Sequence, residues 1–216
     1  MTAPVVESPR FVTFEGIDGC GKSTQADLLK SFLEGNEQTV ILVREPGGTG
    51  ISEKIRTLLL DPENKGMDPV TESLLLAASR TQLVNQVILP AIRDGKTVLC
   101  DRFVDSTLAY QGHGRGLPLE WLEMINEYAT RTARPDATVF VDVPVNTALE
   151  RMEKKTFDRM EKEGHDFLER VREGYLRLAE KDPRRYIVVN GLESIQEIHK
   201  KIVRRMFHEG SFPRAE

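Results

Sequence analysis

The run Gly16-Ile17-Asp18-Gly19-Cys20-Gly21-Lys22-Ser23 has the spacing G-x-x-x-x-G-K-[ST], the pattern of a loop that wraps anionic phosphates. Glycines let successive backbone N–H groups converge on one anion, and a helix beginning at the end of the loop adds the positive end of its dipole. Lys22 can reach the outer phosphates of a nucleotide, and the Ser23 hydroxyl can ligate Mg²⁺. The flanks suit this reading. Phe11-Val12-Thr13-Phe14 before the loop has strand composition, and Ala26, Leu29, Phe32 and Leu33 after it recur at helical spacing until Gly35. The pattern also arises by chance in glycine-bearing turns, but its place between strand and helix predicts a nucleotide-phosphate site.

Two further strand ends carry charge. Asp101-Arg102-Phe103 follows the apolar Val98-Leu99-Cys100, and a carboxylate at the carboxyl end of a parallel strand faces the ligand crevice of an open α/β sheet. Asp101 is therefore a candidate for Mg²⁺ or its waters, and Arg102 for clamping a second phosphate. A structural Asp–Arg pair at a strand end is an equal alternative. The turn Arg44-Glu45-Pro46-Gly47-Gly48-Thr49 ends another apolar strand in the same crevice, where the double glycine equally suits a plain tight turn. Arg56 and Arg80 lie on amphipathic helices, where arginines usually face solvent. Arg80, embedded in Leu74-Leu75-Leu76-Ala77-Ala78-Ser79-Arg80-Thr81, has the less ordinary setting and suits a pocket.

The elements that must position these residues alternate along the chain. Strands are expected over 10–15, 39–44, 97–101, 137–142 and 186–189, and helices near 22–34, 50–60, 70–93, 104–111, 119–132, 145–155, 163–181 and 194–208. Val40-Ile41-Leu42-Val43 and Thr138-Val139-Phe140-Val141 are continuous apolar runs, which implies burial on both faces. The alternation predicts an α/β doubly wound fold, a five-stranded parallel sheet between layers of helices. The 216 residues suit one domain over 10–210, after a disordered lead-in over 1–9 and with a charged lid at about 151–165. Residues 111–117 read as a glycine-rich turn. A net charge of −4, from 30 basic and 34 acidic residues, argues against a nucleic-acid partner, so anionic substrates must be met by local arginines and lysines. No apolar run reaches membrane-spanning length and the N-terminus lacks a signal-peptide pattern, so a cytoplasmic location is expected. Two cysteines, Cys20 and Cys100, give no disulfide framework and read as small buried residues in a reducing compartment.

Taken together, Phe14-Glu-Gly-Ile-Asp-Gly-Cys-Gly-Lys-Ser-Thr24, Arg44-Glu-Pro-Gly-Gly-Thr49, Ala77-Ala-Ser-Arg80 and Asp101-Arg-Phe-Val-Asp-Ser-Thr-Leu-Ala-Tyr-Gln-Gly112 closely resemble the thymidylate kinases of bacterial type. The similarity runs from about residue 10 to the C-terminal helix. It implies phosphoryl transfer from ATP-Mg²⁺ to dTMP, with Gly16 to Thr24 binding ATP and Ser23 and Asp101 near the metal. Asp18 would meet the sugar 3′-hydroxyl and align the acceptor phosphate, which Arg102 and Arg56 would hold. Glu45 lies in the Arg44–Thr49 motif and joins the acceptor site. Arg80, Thr107 and Gln111 would surround thymine, and Tyr110 would pack on the deoxyribose and disfavour a 2′-hydroxyl. The resemblance also implies a homodimer, for which helices 70–93 and 119–132 are candidates.

The chain departs from the pattern twice. Leu76 stands where relatives carry a phenylalanine that stacks on thymine, which bears on base affinity and selectivity. Relatives with glycine at the position of Gly19 draw their catalytic cation from the lid, which here offers Lys154, Lys155 and Arg159. Arg159, preceded by Asp158, is the expected choice. Three other readings remain open: a kinase for a different nucleoside monophosphate or a deoxynucleoside, a phosphate-loop switch that binds nucleotide without transferring phosphate, and an inactive binding module that keeps the fold, against which the intact Lys22, Ser23, Asp101 and Arg102 weigh. The second lacks the guanine-reading Asn-Lys-x-Asp element, because Asn64-Lys65-Gly66-Met67 does not complete it.

Overall fold

Five short strands take up the β-branched and aromatic runs: β1 (Phe11–Glu15), β2 (Val40–Arg44), β3 (Thr97–Asp101), β4 (Ala137–Asp142) and β5 (Tyr186–Asn190). Each lies within one residue of its expected bounds. In a computed structural model, which describes residues 10–152, 159–160 and 163–207, they form one parallel sheet in the order β2-β3-β1-β4-β5. From β1 the chain fills one side of the sheet and then the other, and ligand crevices of open α/β sheets form at the carboxyl ends of strands around such a point. Register brings those ends level, with Asp101 opposite Phe14 on one side and Arg44 on the other. The expected lead-in over 1–9, the lid residues Lys154, Lys155 and Asp158, and 208–210 lie outside the described residues.

β1, β4 and most of β3 are buried, as continuous apolar runs require. β2 is only half-buried despite its apolar run, because it is the edge strand. The period-2 alternation sends Val12, Phe14 and Leu99 into one apolar cluster and Phe11, Val98 and Cys100 into another. Leu29 of α1 (Lys22–Gly35) and Ile202 of α9 (Ile195–Phe207) join the first cluster; Leu83 of α3 (Pro69–Leu83) joins the second.

The remaining helices are α2 (Gly50–Leu60), α4 (Leu89–Arg93), α5 (Val104–Thr107), α6 (Leu119–Thr130), α7 (Val145–Met152) and α8 (His165–Lys181). Two stretches differ from expectation. The helix expected over 70–93 widens to a π-helix over Val84–Ile88 before continuing as α4. Pro90 explains the widening, since its ring clashes with the carbonyl four residues back and supplies no N–H. The glycine-rich stretch read as a turn instead continues α5 as a π-helix over Leu108–Gly114. Its glycines serve close approach. A Cβ on Gly112 would lie 2.4 Å from Leu119 Cδ2, and one on Gly114 2.7 Å from the Phe167 ring of α8. The wider turn carries Tyr110 and Gln111, in keeping with the frequent occurrence of π-bulges at functional sites.

Candidate active site

The loop after β1 turns on glycines with positive φ at 16, 19 and 21. At Gly16 a Cβ would sit 2.8 Å from both Cys20 Sγ and Val141 O, and at Gly19 2.4 Å from Ala148 O, so side chains are excluded there by contact as well as conformation. Gly21 caps α1 without any side-chain hydrogen bond, which leaves the first N–H groups of a 14-residue helix to an anion. Ile17 and Cys20 anchor the loop by burial, whereas Ser23 and Thr24 are exposed at the start of the helix.

Asp18 stands at the centre. Its Oδ1 accepts from Lys22 Nζ at 2.8 Å and from an Arg102 NH2 at 2.9 Å. Burial would raise the Asp18 pKa, but the two cations outweigh it and hold the carboxyl well below its usual range. Burial presses the Lys22 and Arg102 pKa values down, and Arg102 also repels the Lys22 charge; Asp18, with smaller help from neighbouring groups, more than reverses this, so both stay charged. Arg102 reaches back over the loop because its backbone lies at φ +70°, a left-handed conformation uncommon for a side-chain-bearing residue. Its guanidinium also donates to Tyr110 OH at 3.0 Å, Ser106 Oγ at 3.2 Å and Tyr175 OH at 3.3 Å.

Below Arg102 lies Glu15, the last residue of β1, fully buried and assigned no role on sequence grounds. It accepts from Phe103 N at 2.7 Å, Ser106 Oγ at 2.6 Å and Tyr175 OH at 2.8 Å, and so ties the start of α5 and helix α8 to β1. Burial, helped by the charge of Asp105, raises its pKa. Its position matches that of Asp101 on β3, a carboxylate at a strand's carboxyl end, which is the signal that would have found it.

Every residue expected to meet the acceptor (Glu45, Arg56, Leu76, Arg80, Arg102, Thr107, Tyr110 and Gln111) lines one cavity, together with Asp18. Arg80 is 2 % exposed and all its guanidinium nitrogens are engaged. They meet Glu45 Oε2 at 2.8 Å, Thr107 Oγ1 at 3.0 Å, Asn126 Oδ1 at 2.6 Å and Phe103 O at 3.0 Å. Arg80 is thus built into the cavity wall. Glu45, its partner, keeps a buried Oε1 with no hydrogen bond, and burial pushes its pKa up to about 7 despite Arg80. Arg56 donates to Pro46 O at 2.9 Å and holds the 45–49 turn against α2.

Arg159 is elsewhere. It is buried, paired with the cavity-lining Glu72 and donating to Leu59 O at 2.8 Å, so its charge is matched by Glu72. Besides Arg102, the loop is met by Arg151 of α7, whose guanidinium donates to Gly19 O at 3.4 Å and Gly191 O at 3.0 Å. Its charge was visible in the lid sequence; its direction was not.

Ser23 Oγ donates to Asp101 Oδ2, which brings a hydroxyl and a carboxylate together beside the loop. The described residues contain no cluster of three or more His, Cys, Asp or Glu side chains able to hold a metal. Two hard oxygen ligands suit a small divalent ion that takes its remaining ligands from phosphates and water.

Phosphate loop, strand-end carboxylate, sheet order and acceptor cavity together define a phosphate-loop kinase of the α/β class. The thymidylate kinase family model matches residues 14–202. A thymidylate kinase of Fervidobacterium nodosum is 50% identical over 194 residues, covering 90% of this chain and 96% of that protein. One from Desulforudis audaxviator is 52% identical over 181 residues, 83% of this chain and 82% of that protein. The crystal structure of thymidylate kinase from Ehrlichia chaffeensis superposes with a TM-score of 0.73 at 36% identity, covering 90% of this chain and 96% of that one. The chain belongs to the thymidylate kinase family. It is an enzyme that phosphorylates dTMP with ATP and a divalent metal ion.

Proposed function

We propose that the two halves of the site divide the reaction at Asp18. The ATP phosphates lie along Gly16 to Thr24 at the start of α1, with Lys22 on the outer phosphates. Arg102 and Arg56 hold the dTMP phosphate, and Leu76, Thr107, Tyr110 and Gln111 enclose deoxyribose and thymine. The observation that carries this reading is the shared oxygen of Asp18, where the loop lysine and the acceptor-side arginine meet. An acceptor phosphate oxygen is already ionised, so the transfer needs alignment and charge stabilisation more than a general base. Lys22 and Arg102 supply fixed positive charge, and Asp18, kept ionised, accepts a hydrogen bond from the sugar hydroxyl. The divalent ion is Mg²⁺, held by Ser23 and Asp101, and when bound it neutralises phosphate charge. Arg159 acts on the acceptor side through Glu72.

The enzyme works as a homodimer in the cytoplasm. Leu74 of α3 and Met124 and Tyr128 of α6 are exposed on helices that pack side by side, an apolar face suited to a second copy. No helix among the described residues is long and apolar enough to cross a membrane, and the two cysteines are buried and unpaired. The test is ADP release from ATP-Mg²⁺ with dTMP, dUMP, dCMP, AMP or GMP supplied separately. Strong turnover of dTMP, slower turnover of dUMP and negligible turnover of purines are expected. Preference for another monophosphate would overturn the base assignment.

A further inference from the structure

Glu72, on the first turns of α3, is 1 % exposed and has no place in the sequence-level account of the site. Four hydrogen bonds converge on its carboxylate. Oε1 accepts from Gln111 Nε2 at 2.8 Å and Arg115 Nε at 2.6 Å; Oε2 accepts from Arg115 NH2 at 2.9 Å and from Arg159. Burial would raise its pKa, but Arg115, Gln111 and Arg159 more than offset that and keep it ionised.

An ionised carboxylate only accepts hydrogen bonds, and a glutamine amide has one donating and one accepting end of nearly equal size. Glu72 can therefore bond only the NH₂ end of Gln111. The carbonyl end, Oε1, takes no hydrogen bond from any described residue, and Gln111 is part of the cavity wall. We infer that Glu72 is a positioning residue that fixes the Gln111 amide with its oxygen toward the acceptor base, and so selects bases with an N3–H donor over bases with an N3 acceptor. Thymine and uracil have that donor; cytosine has a lone pair there and would meet Oε1 acceptor to acceptor. The ion pairs of Glu72 with Arg115 and Arg159 maintain the charge on which the orientation depends. This rests on the reading that Gln111 faces the base.

The test compares kcat/KM for dTMP, dUMP and dCMP in the unsubstituted enzyme, Gln111→Ala and Glu72→Gln. A glutamine at 72 can offer either end to Gln111, so the orientation is released. In Glu72→Gln the dTMP-to-dCMP ratio should fall at least tenfold while the dTMP-to-dUMP ratio holds, since those two share the N3–H edge. A common loss for all three substrates would make Glu72 a scaffold residue only and overturn the inference. If Gln111→Ala leaves the dTMP-to-dCMP ratio unchanged, the base-facing role of Gln111 falls first and the inference with it. If Glu72→Gln does not fold, NMR of the unsubstituted enzyme decides. One Gln111 amide proton, identified by its loss in Gln111→Ala, should be protected from solvent exchange without substrate; exchange as fast as at an exposed glutamine would overturn the inference.

Discussion

Arg102 donates to Asp18 Oδ1 at 2.9 Å, joining the residue after β3 to the middle of the phosphate loop. The bond spans 84 residues of sequence and depends on the left-handed backbone of Arg102, which turns its side chain toward β1. Asp18→Asn keeps the shape and removes the charge that Lys22 and Arg102 share. Loss of charge-assisted hydrogen bonds worth about 1.5–3 kcal/mol should lower kcat for dTMP roughly 10- to 150-fold. Steady-state kinetics would count against the account if kcat stayed within threefold.

Leu76 is a half-buried part of the cavity wall. An aromatic ring there would add stacking worth about 0.5–1.5 kcal/mol, so Leu76→Phe should lower the dTMP KM roughly 2- to 10-fold with little change in kcat. Equal or tighter binding of dTMP by the unsubstituted enzyme would show that leucine already covers the base as well.

Arg159 and Arg151 should separate in kinetics. Arg159→Ala strips Glu72 of one partner, so its main effect should be a raised dTMP KM. This replaces the expectation, drawn from the lid sequence, of a loss in kcat. Arg151→Ala removes the contacts to the Gly19 and Gly191 carbonyls and should raise the ATP KM more than the dTMP KM. The reverse assignment, read from KM values for the two substrates, would place Arg159 back at the phosphates.

Glu45 gives the stability a pH dependence. Its pKa rises from 4.5 to about 7 on folding, chiefly through burial, so between those values the folded protein binds a proton that the unfolded chain releases. Stability through this group therefore falls as pH rises across that window, by up to about 3 kcal/mol. Asp18 acts in the opposite sense at lower pH: its depressed pKa favours folding above the ordinary carboxylate range, and that is lost in acid. Urea unfolding at pH 5, 6, 7 and 8 should show a shallower decline for Glu45→Gln. An unchanged slope would contradict the assignment.

The strands and the phosphate loop were legible because their signals are local: a continuous apolar run for each buried strand, and a fixed spacing of glycines before Lys22. The residues expected to meet the acceptor came from short motifs, and the fold gathers them around one cavity. Glu72 was silent because its partners Gln111, Arg115 and Arg159 lie 39, 43 and 87 residues away. The π-helix over Leu108–Gly114 was hidden by its own glycines, which mimic a turn while admitting Phe167 and Leu119. Arg80 was recognised as a pocket residue, but its full engagement by Glu45, Thr107, Asn126 and Phe103 depends on tertiary contacts. The half-burial of β2 followed from strand order, which a run of apolar residues does not encode.

The division of the reaction at Asp18 is tested most directly by a double-mutant cycle on kcat/KM for dTMP with Asp18→Asn and Arg102→Lys. Residues acting as one unit are non-additive, so the double variant should lose little more than the worse of the two single variants. Losses that multiply would show that Asp18 and Arg102 act independently, and would contradict the account.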